Sequence, residues 1–184
     1  MNLEMVASSS ATARLAGLAW LDSAAFSNQA PAVTVRALSR GGLLVDAIRR
    51  AYGAHPKVCV VREAKVSGCL ERDIELRIGS DTLIEAHSLL PLATVEALPV
   101  LGALGDRAIG LALREQGYDT RSEYEFARTT FPLLPASGKV AASTWARRFR
   151  IVLPFDDVTI VEIFSPGLLE TLGRDGDAQP GRLR

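Results

Sequence analysis

The stretch Leu70-Glu-Arg-Asp-Ile-Glu-Leu-Arg-Ile78 alternates strictly, and Gly79-Ser-Asp81 follows it directly. Side chains on a β-strand point to opposite faces with period two, so alternate residues of this stretch share a face. Glycine and aspartate supply the unusual backbone angles of a tight hairpin turn. Residues 82–90 then return antiparallel and end at Pro91. The chain is therefore predicted to be organised around a long antiparallel β-hairpin.

Two charged residues lie on faces that are otherwise apolar. Arg72 shares its face with Leu70, Ile74, Leu76 and Ile78, and Glu162 shares a face with Val158, Ile160 and Phe164. A charge on a core-facing row is costly unless it is paired or binds a ligand. One interpretation is a buried Arg72–Glu162 salt bridge. The other is an anion-binding pocket under the sheet, which the rest of the chain favours.

The remaining pattern predicts an α+β fold with a single antiparallel sheet of about six strands covered by helices, which pack over one face. Helices are predicted over residues 12–20, 31–38, 43–52, 92–104 (interrupted by Pro99), 108–115 and 168–172. Strands are predicted over residues 58–61, 70–78, 82–90, 121–128, 145–153 and 158–164. Residues 58–61 are expected to be buried. Residues 1–172 are expected to form one domain with a loose N-terminal arm at 1–12, a long loop at 131–143 and a disordered tail at 173–184.

Composition excludes several functional classes. The 184 residues are 48% hydrophobic and carry 21 basic and 21 acidic side chains. Such a neutral chain is not drawn to nucleic acid or to an anionic membrane, and no apolar run is long enough to span a bilayer. Two cysteines without a pairing pattern, and a start that lacks a secretion signal, predict a cytoplasmic protein.

The sequence contains no recognisable motif for binding a metal or a cofactor, or for nucleophilic catalysis. His55 and His87 are isolated, so each is expected to be structural or exposed rather than a metal ligand. The chain has no phosphate-cradling glycine loop and no nucleophile elbow. The basic cluster Arg147, Arg148 and Arg150 is interpreted as a solvated face. No metal and no cofactor are therefore expected, which leaves acid–base chemistry or anion binding.

The order of these unusual residues resembles the chorismate lyase (chorismate pyruvate-lyase) family of the 4-hydroxybenzoate-forming type. The resemblance covers residues 41–166 and rests on an ordered set of short blocks: Val58-Cys-Val-Val-Arg-Glu63, Leu70-Glu-Arg-Asp-Ile74, Leu89-Leu-Pro91, Ala108-Ile-Gly110, Thr120-Arg121, Trp145-Ala-Arg-Arg148 and Val161-Glu-Ile-Phe-Ser-Pro166. It implies an antiparallel sheet covered by helices, with the ligand enclosed between the two layers.

The resemblance also implies roles for particular residues. Arg72 matches the arginine that binds the ring carboxylate, and Glu162 matches the acidic residue beside the ring hydroxyl. Leu44 and Ile109 match positions whose backbone groups contact the ligand. The implied activity is removal of pyruvate from chorismate to give 4-hydroxybenzoate or a related aromatic acid, by acid-assisted elimination without metal or cofactor. A glutamate on an apolar face is expected to be partly protonated near neutral pH, and thus able to act as the acid.

Two further functions stay open. The segment between Arg62 and Arg72 is short and the 131–143 loop is long, so the lid over the pocket is expected to be rebuilt. A lyase or cyclase of a secondary-metabolite pathway using the same pocket, or a small-molecule-sensing domain of the same fold, would fit the same residues. In each case the expected partner is an aromatic or cyclohexadienyl carboxylate, and the chain is expected to be a monomer or a homodimer.

Overall fold

The long hairpin forms the first half of a single six-stranded antiparallel sheet. The computed structural model describes residues 11–133 and 141–174. The strands are β1 (Lys57–Val66), β2 (Cys69–Ile78), β3 (Asp81–Pro91), β4 (Glu125–Phe131), β5 (Ala142–Ile151) and β6 (Val158–Phe164). Their order across the sheet is β1-β2-β3-β6-β5-β4, so the last strand of the chain joins two hairpins at the centre. The α+β class and the antiparallel six-stranded sheet are confirmed.

Seven α-helices accompany the sheet in the described residues. They are α1 (Ala11–Ala16), α2 (Ser23–Gln29), α3 (Ala32–Leu38), α4 (Leu44–Tyr52), α5 (Leu92–Ala97), α6 (Ile109–Glu115) and α7 (Pro166–Arg174), with a 3-10 turn at Pro99–Ala103. Gly53 ends α4 in the left-handed conformation, with φ of 67°, as its position predicted. Helix α2, which begins where the Asp22 side chain accepts a hydrogen bond from the backbone of Ala25, was not predicted.

The sheet is packed on both faces, which corrects the expectation that helices cover only one. Ile74, Leu76, Ile84 and Phe164 pack beneath α3, α4 and α7 on one face. On the other face, Ala11 and Leu15 of α1 pack with Ala146, Val161 and Ile163. Strand β6 is central and covered on both faces, so the side chains on both of its faces are largely apolar. Its sequence therefore lacks the polar–apolar alternation that would show which face is covered.

Strand β1 is an edge strand rather than the buried strand predicted at residues 58–61. Val61 is 63% exposed and Val60 is 44% exposed. The register of β1 against β2 shifts between Val60 and Arg62, as in a β-bulge. An apolar run alone does not distinguish a central strand from an edge, and here it lies at the edge.

Several predicted boundaries moved. Strand β4 begins at Glu125 rather than at residue 121, although Arg121 forms an isolated bridge with Ile151. Helix α1 includes Thr12, and α7 continues to Arg174, beyond the predicted end of the domain. Most of the predicted arm, loop and tail, at residues 1–10, 134–140 and 175–184, lies outside the described residues. Within the described ranges, no helix is both long and apolar enough to cross a bilayer.

Candidate functional site

A narrow cavity of about 60 Å³ lies between the sheet and the starts of α4 and α6. Its floor is formed by side chains of β2, β3, β5 and β6, which share one face because their register is continuous across the four strands. Its roof is formed by residues 43–45 and 108–111. Arg121 and Glu162 are the two charged residues in its wall, which is otherwise mostly apolar. A small, mainly apolar cavity with a few converging polar groups is the usual form of a small-molecule site.

Leu44 and Ile109 lie in the roof, each at the first residue of its helix. The starts of α4 and α6 receive no hydrogen bond from a capping side chain. The N–H groups of a first helical turn have no partner within their own helix, so backbone donors stand at the cavity wall. The structure therefore places these two predicted residues together in the wall of one cavity.

Arg72 lies immediately beside the cavity and is 1% exposed. Its register partner in β3 is Ser88, a residue of the cavity wall. One η nitrogen donates to the Glu63 carboxylate, and the other donates to the carbonyl of Gly105 and, at 3.4 Å, to that of Arg107. The Nε–H is buried and has no hydrogen-bond partner among the described residues. An orphaned buried donor of this kind is rare and calls for a functional or structural reason.

Glu162 lies in the cavity wall, but its partner is not Arg72. Its Oε2 accepts a hydrogen bond of 2.5 Å from Nε of Arg147, the residue directly opposite on β5. The hypothesis of an Arg72–Glu162 salt bridge is therefore wrong: each residue pairs with a charge on the neighbouring strand. No described residue donates a hydrogen bond to Oε1 of Glu162.

Arg147 is the functional candidate that the sequence interpretation missed. It is 1% exposed, which contradicts the solvated face predicted for Arg147, Arg148 and Arg150. Its Nη1 donates to the carbonyls of Leu38 (3.0 Å) and Arg40 (3.1 Å). Its guanidinium carbon lies within 6 Å of the ring centroids of three aromatic residues, Tyr124, Phe149 and Phe164. The signal was present in the sequence, because Trp145, Arg147, Phe149 and Ile151 share one parity.

The two buried arginines connect the floor to the roof in the same way. Arg147 binds carbonyls of the segment that leads into α4, and Arg72 binds carbonyls of the segment that leads into α6. Each guanidinium thus joins a carboxylate of the sheet to the backbone just before a helix that lines the cavity. Charge-assisted hydrogen bonds of this kind are the stronger ones in proteins.

Arg121 lies at the opposite end of the cavity floor from Arg72. Its guanidinium carbon is 4.9 Å from the ring centroid of Phe149, and its Nη1 donates to the Gly42 carbonyl and to the Tyr124 hydroxyl. No carboxylate of the described residues lies within ion-pair distance of it. Arg121 belongs to the Thr120-Arg121 block of the resemblance, which implies no role for it.

The opposite face of the sheet carries a second polar cluster. His87 is 5% exposed; its Nδ1 contacts the Asp73 carboxylate, and its Nε2 lies 3.2 Å from the Thr12 hydroxyl. His87 is thus a buried structural residue, and His55 is exposed, which are the two outcomes expected for these histidines. Among the described residues, no group of His, Cys, Asp and Glu has an arrangement that could hold a metal ion.

Glu85 is a carboxyl group on this face whose pKa is displaced. Burial raises the pKa of its carboxyl, and the nearby Glu75 and Asp73 carboxylates act in the same direction. A hydrogen bond from the backbone N–H of Leu133 opposes the rise. Because Glu85 points away from the cavity, we assign it to stability rather than to the candidate site.

The four predicted site residues thus fall into two groups. Leu44, Ile109 and Glu162 line one cavity, whereas Arg72 lies outside its lining, on the strand next to Ser88, and has an unsatisfied donor. In comparisons with known proteins, no protein-family model and no curated sequence matches this chain.

Proposed function

We propose that this protein is a carbon–oxygen lyase that removes pyruvate from chorismate to give 4-hydroxybenzoate or a related aromatic acid. The observation that carries the proposal is the cavity itself, which brings Leu44, Ile109 and Glu162 together beside a buried arginine with an unpaired Nε–H. A mostly apolar wall with few charges suits a ring that carries a carboxylate and a hydroxyl.

The ring carboxylate is proposed to bind Arg72 by exchange with Glu63. The Glu63 side chain is 38% exposed on an edge strand, so it is free to move outward when another carboxylate arrives. The guanidinium would then keep the Nη2 contacts with the Gly105 and Arg107 carbonyls, and Nη1, released from Glu63, would donate to the ligand carboxylate. A hydrogen bond from a guanidinium to a carboxylate is charge-assisted, and burial strengthens it.

Glu162 is proposed to transfer the proton. In the elimination, the ring C–O bond to the enolpyruvyl group breaks and the ring carbon bearing the hydroxyl loses its hydrogen as a proton. The departing enolpyruvate gains a proton, so the reaction is balanced without a redox partner. An ion-paired glutamate is a carboxylate, so its Oε1 accepts the ring proton first and then serves as the acid toward the departing group. Arg147 holds Oε2 and fixes the orientation of the carboxylate throughout.

The direct test is to incubate the purified protein with chorismate. Pyruvate is measured by coupling to lactate dehydrogenase, and the aromatic acid is measured by its absorbance. Glu162→Gln keeps the shape and the contact to Arg147 but cannot carry the proton. We expect its turnover to fall by roughly 10²–10⁴, while 4-hydroxybenzoate still binds within about tenfold of wild type. Near-normal turnover of this variant would remove Glu162 from the chemistry.

A ligand-sensing domain is the second candidate, and one observation favours it. Both η nitrogens of Arg72 and the Oε2 of Glu162 already have protein partners, as in a site built to hold a ligand rather than to convert it. The same experiment separates the two functions. A sensor would release no pyruvate from chorismate, yet its melting temperature would rise with 4-hydroxybenzoate.

A further inference from the structure

Arg121 presents an unused cationic edge to the cavity. Its Nη1 is occupied by the Gly42 carbonyl at 3.1 Å and the Tyr124 hydroxyl at 3.3 Å, whereas its Nε and Nη2 have no hydrogen-bond partner among the described residues. Arg72 and Arg147, the other two arginines at the site, each hold a carboxylate of the chain. Arg121 therefore differs from both in having its charge available to a ligand.

The position of Arg121 is fixed before any ligand arrives. Its backbone forms a bridge with Ile151, and the next residue, Ser122, donates its N–H to the Arg150 carbonyl. Its guanidinium lies over the Phe149 ring, at 4.9 Å from the centroid. Nη2 is 3.8 Å from the point where a Cβ on Gly110 would lie. Because Gly110 has no side chain, this edge of the guanidinium is left open toward the roof of the cavity.

Arg72 and Arg121 bracket the cavity floor. Register pairs Arg72 with Ser88, Ser88 with Ile160, and Ile160 with Phe149, so these residues form one row across four neighbouring strands. Three strand spacings separate the Arg72 and Phe149 backbones by about 14 Å. The floor between these two positions is formed by Ser88 and Ile160. The row is thus suited to a ligand with an anionic group at each end and an apolar body.

We propose that Arg121 binds a second carboxylate of the substrate, the one on the enolpyruvyl side chain, and so makes the site discriminate between substrate and product. This inference rests on the proposed function. When the enolpyruvyl group leaves, its carboxylate leaves with it, and the remaining aromatic acid has only the contact to Arg72. Arg121 is therefore a specificity-determining residue that favours the dicarboxylate and lets the monocarboxylate dissociate.

The test compares two stable ligands that differ in the second carboxylate, 3-(carboxymethoxy)benzoate and 3-propoxybenzoate, by titration calorimetry. We expect wild type to prefer the dicarboxylate, and Arg121→Gln to weaken the dicarboxylate by roughly 10–100-fold, the usual effect of losing a charge-assisted contact. Binding of 3-propoxybenzoate should change by less than about threefold. In steady-state assays the KM for chorismate should rise in the same variant, while inhibition by 4-hydroxybenzoate is unchanged.

Arg128→Gln is the matched control. Arg128 also lies over an aromatic ring, that of Trp145 at 5.6 Å, but it is exposed and away from the cavity. It should bind both ligands as wild type does. Equal weakening of both ligands by Arg121→Gln, or no weakening of either, would overturn the inference while the proposed function stands. If wild type binds neither ligand and releases no pyruvate, the proposed function and the inference fall together.

Discussion

The Arg147–Glu162 pair is the interaction whose removal should have the largest measurable effect. Arg147→Met keeps the length of the side chain but removes an ion pair with a buried guanidinium and two hydrogen bonds to backbone carbonyls. Removing one partner of a buried pair costs about 3–5 kcal/mol, because the other charge is left uncompensated. For a chain of this size, each kcal/mol shifts the melting temperature by about 2–4 °C, so we expect a fall of roughly 6–20 °C.

A double-mutant cycle shows how much of that loss belongs to the pair itself. Glu162→Leu and the combined Arg147→Met/Glu162→Leu variant are unfolded in urea and followed by circular dichroism. Because the combined variant leaves no unpaired charge, it should be more stable than the sum of the single losses by about 1–3 kcal/mol. Additivity to within about 0.5 kcal/mol would refute the reasoning. Arg148→Met is the neighbouring control; its pair with Glu125 is at the surface and should contribute less than about 1 kcal/mol.

Three further predictions follow from single side chains. Glu63→Ala removes the carboxylate that pairs with Arg72, so that no side chain of the protein competes with the ligand for this guanidinium. The affinity for 4-hydroxybenzoate, measured by titration calorimetry, should therefore rise by roughly 3–10-fold. The pKa of Glu85 is raised above its ordinary value of 4.5. Its contribution to the free energy of unfolding is therefore complete below pH 4.5 and is lost as the pH rises through the folded-state pKa. In urea unfolding, Glu85→Gln should show a smaller loss of stability over this pH range. Gly173→Ala would place a Cβ 2.2 Å from Cγ2 of Val33 and 2.3 Å from its carbonyl oxygen, and should cost roughly 1–3 kcal/mol in thermal unfolding.

For each of these three predictions, one result would contradict the physical reason given. Weaker binding by the Glu63 variant would mean that Glu63 organises Arg72 for the ligand rather than competing with it. An unchanged pH profile in the Glu85 variant would assign the decline to other groups. Gly167→Ala, in the first turn of the same helix α7, meets nothing within 4 Å and should be tolerated. Equal losses at positions 167 and 173 would point to helix propensity rather than to the close contact with α3.

Strand parity was the most informative property of the sequence, because it placed Arg72 and Glu162 on the same face as their apolar neighbours. That face is the inward one, and both point there. The error at Arg147 came from treating three neighbouring arginines as one basic cluster, when alternation separates Arg147 from Arg148 and Arg150. Parity gives the face but not the partner. Which carboxylate meets which guanidinium depends on the order of the strands, and that order is a property of the whole chain.

The cavity could be anticipated only in outline. Leu44 and Ile109 were named through the resemblance, whereas the residues around Arg121 come together from distant loops whose closure no local pattern reports. Helix α2 and the edge position of β1 were missed for a similar reason. A short helix gains its stability from packing, here that of Phe26 against Phe126 and Trp145, and this packing is not encoded in its own seven residues.

The carbonyl contacts of the two buried arginines also set the route by which a small molecule reaches the site. To lift the start of α4 or α6 from the sheet, the chain would have to break hydrogen bonds to a buried guanidinium, which makes a hinged opening there slow. The weaker seam is the one between Gly42 and Arg121, where the described residues form one hydrogen bond, of 3.1 Å. Exchange of ligand with solvent should therefore run through this seam, and its rate should depend on how often that one bond opens.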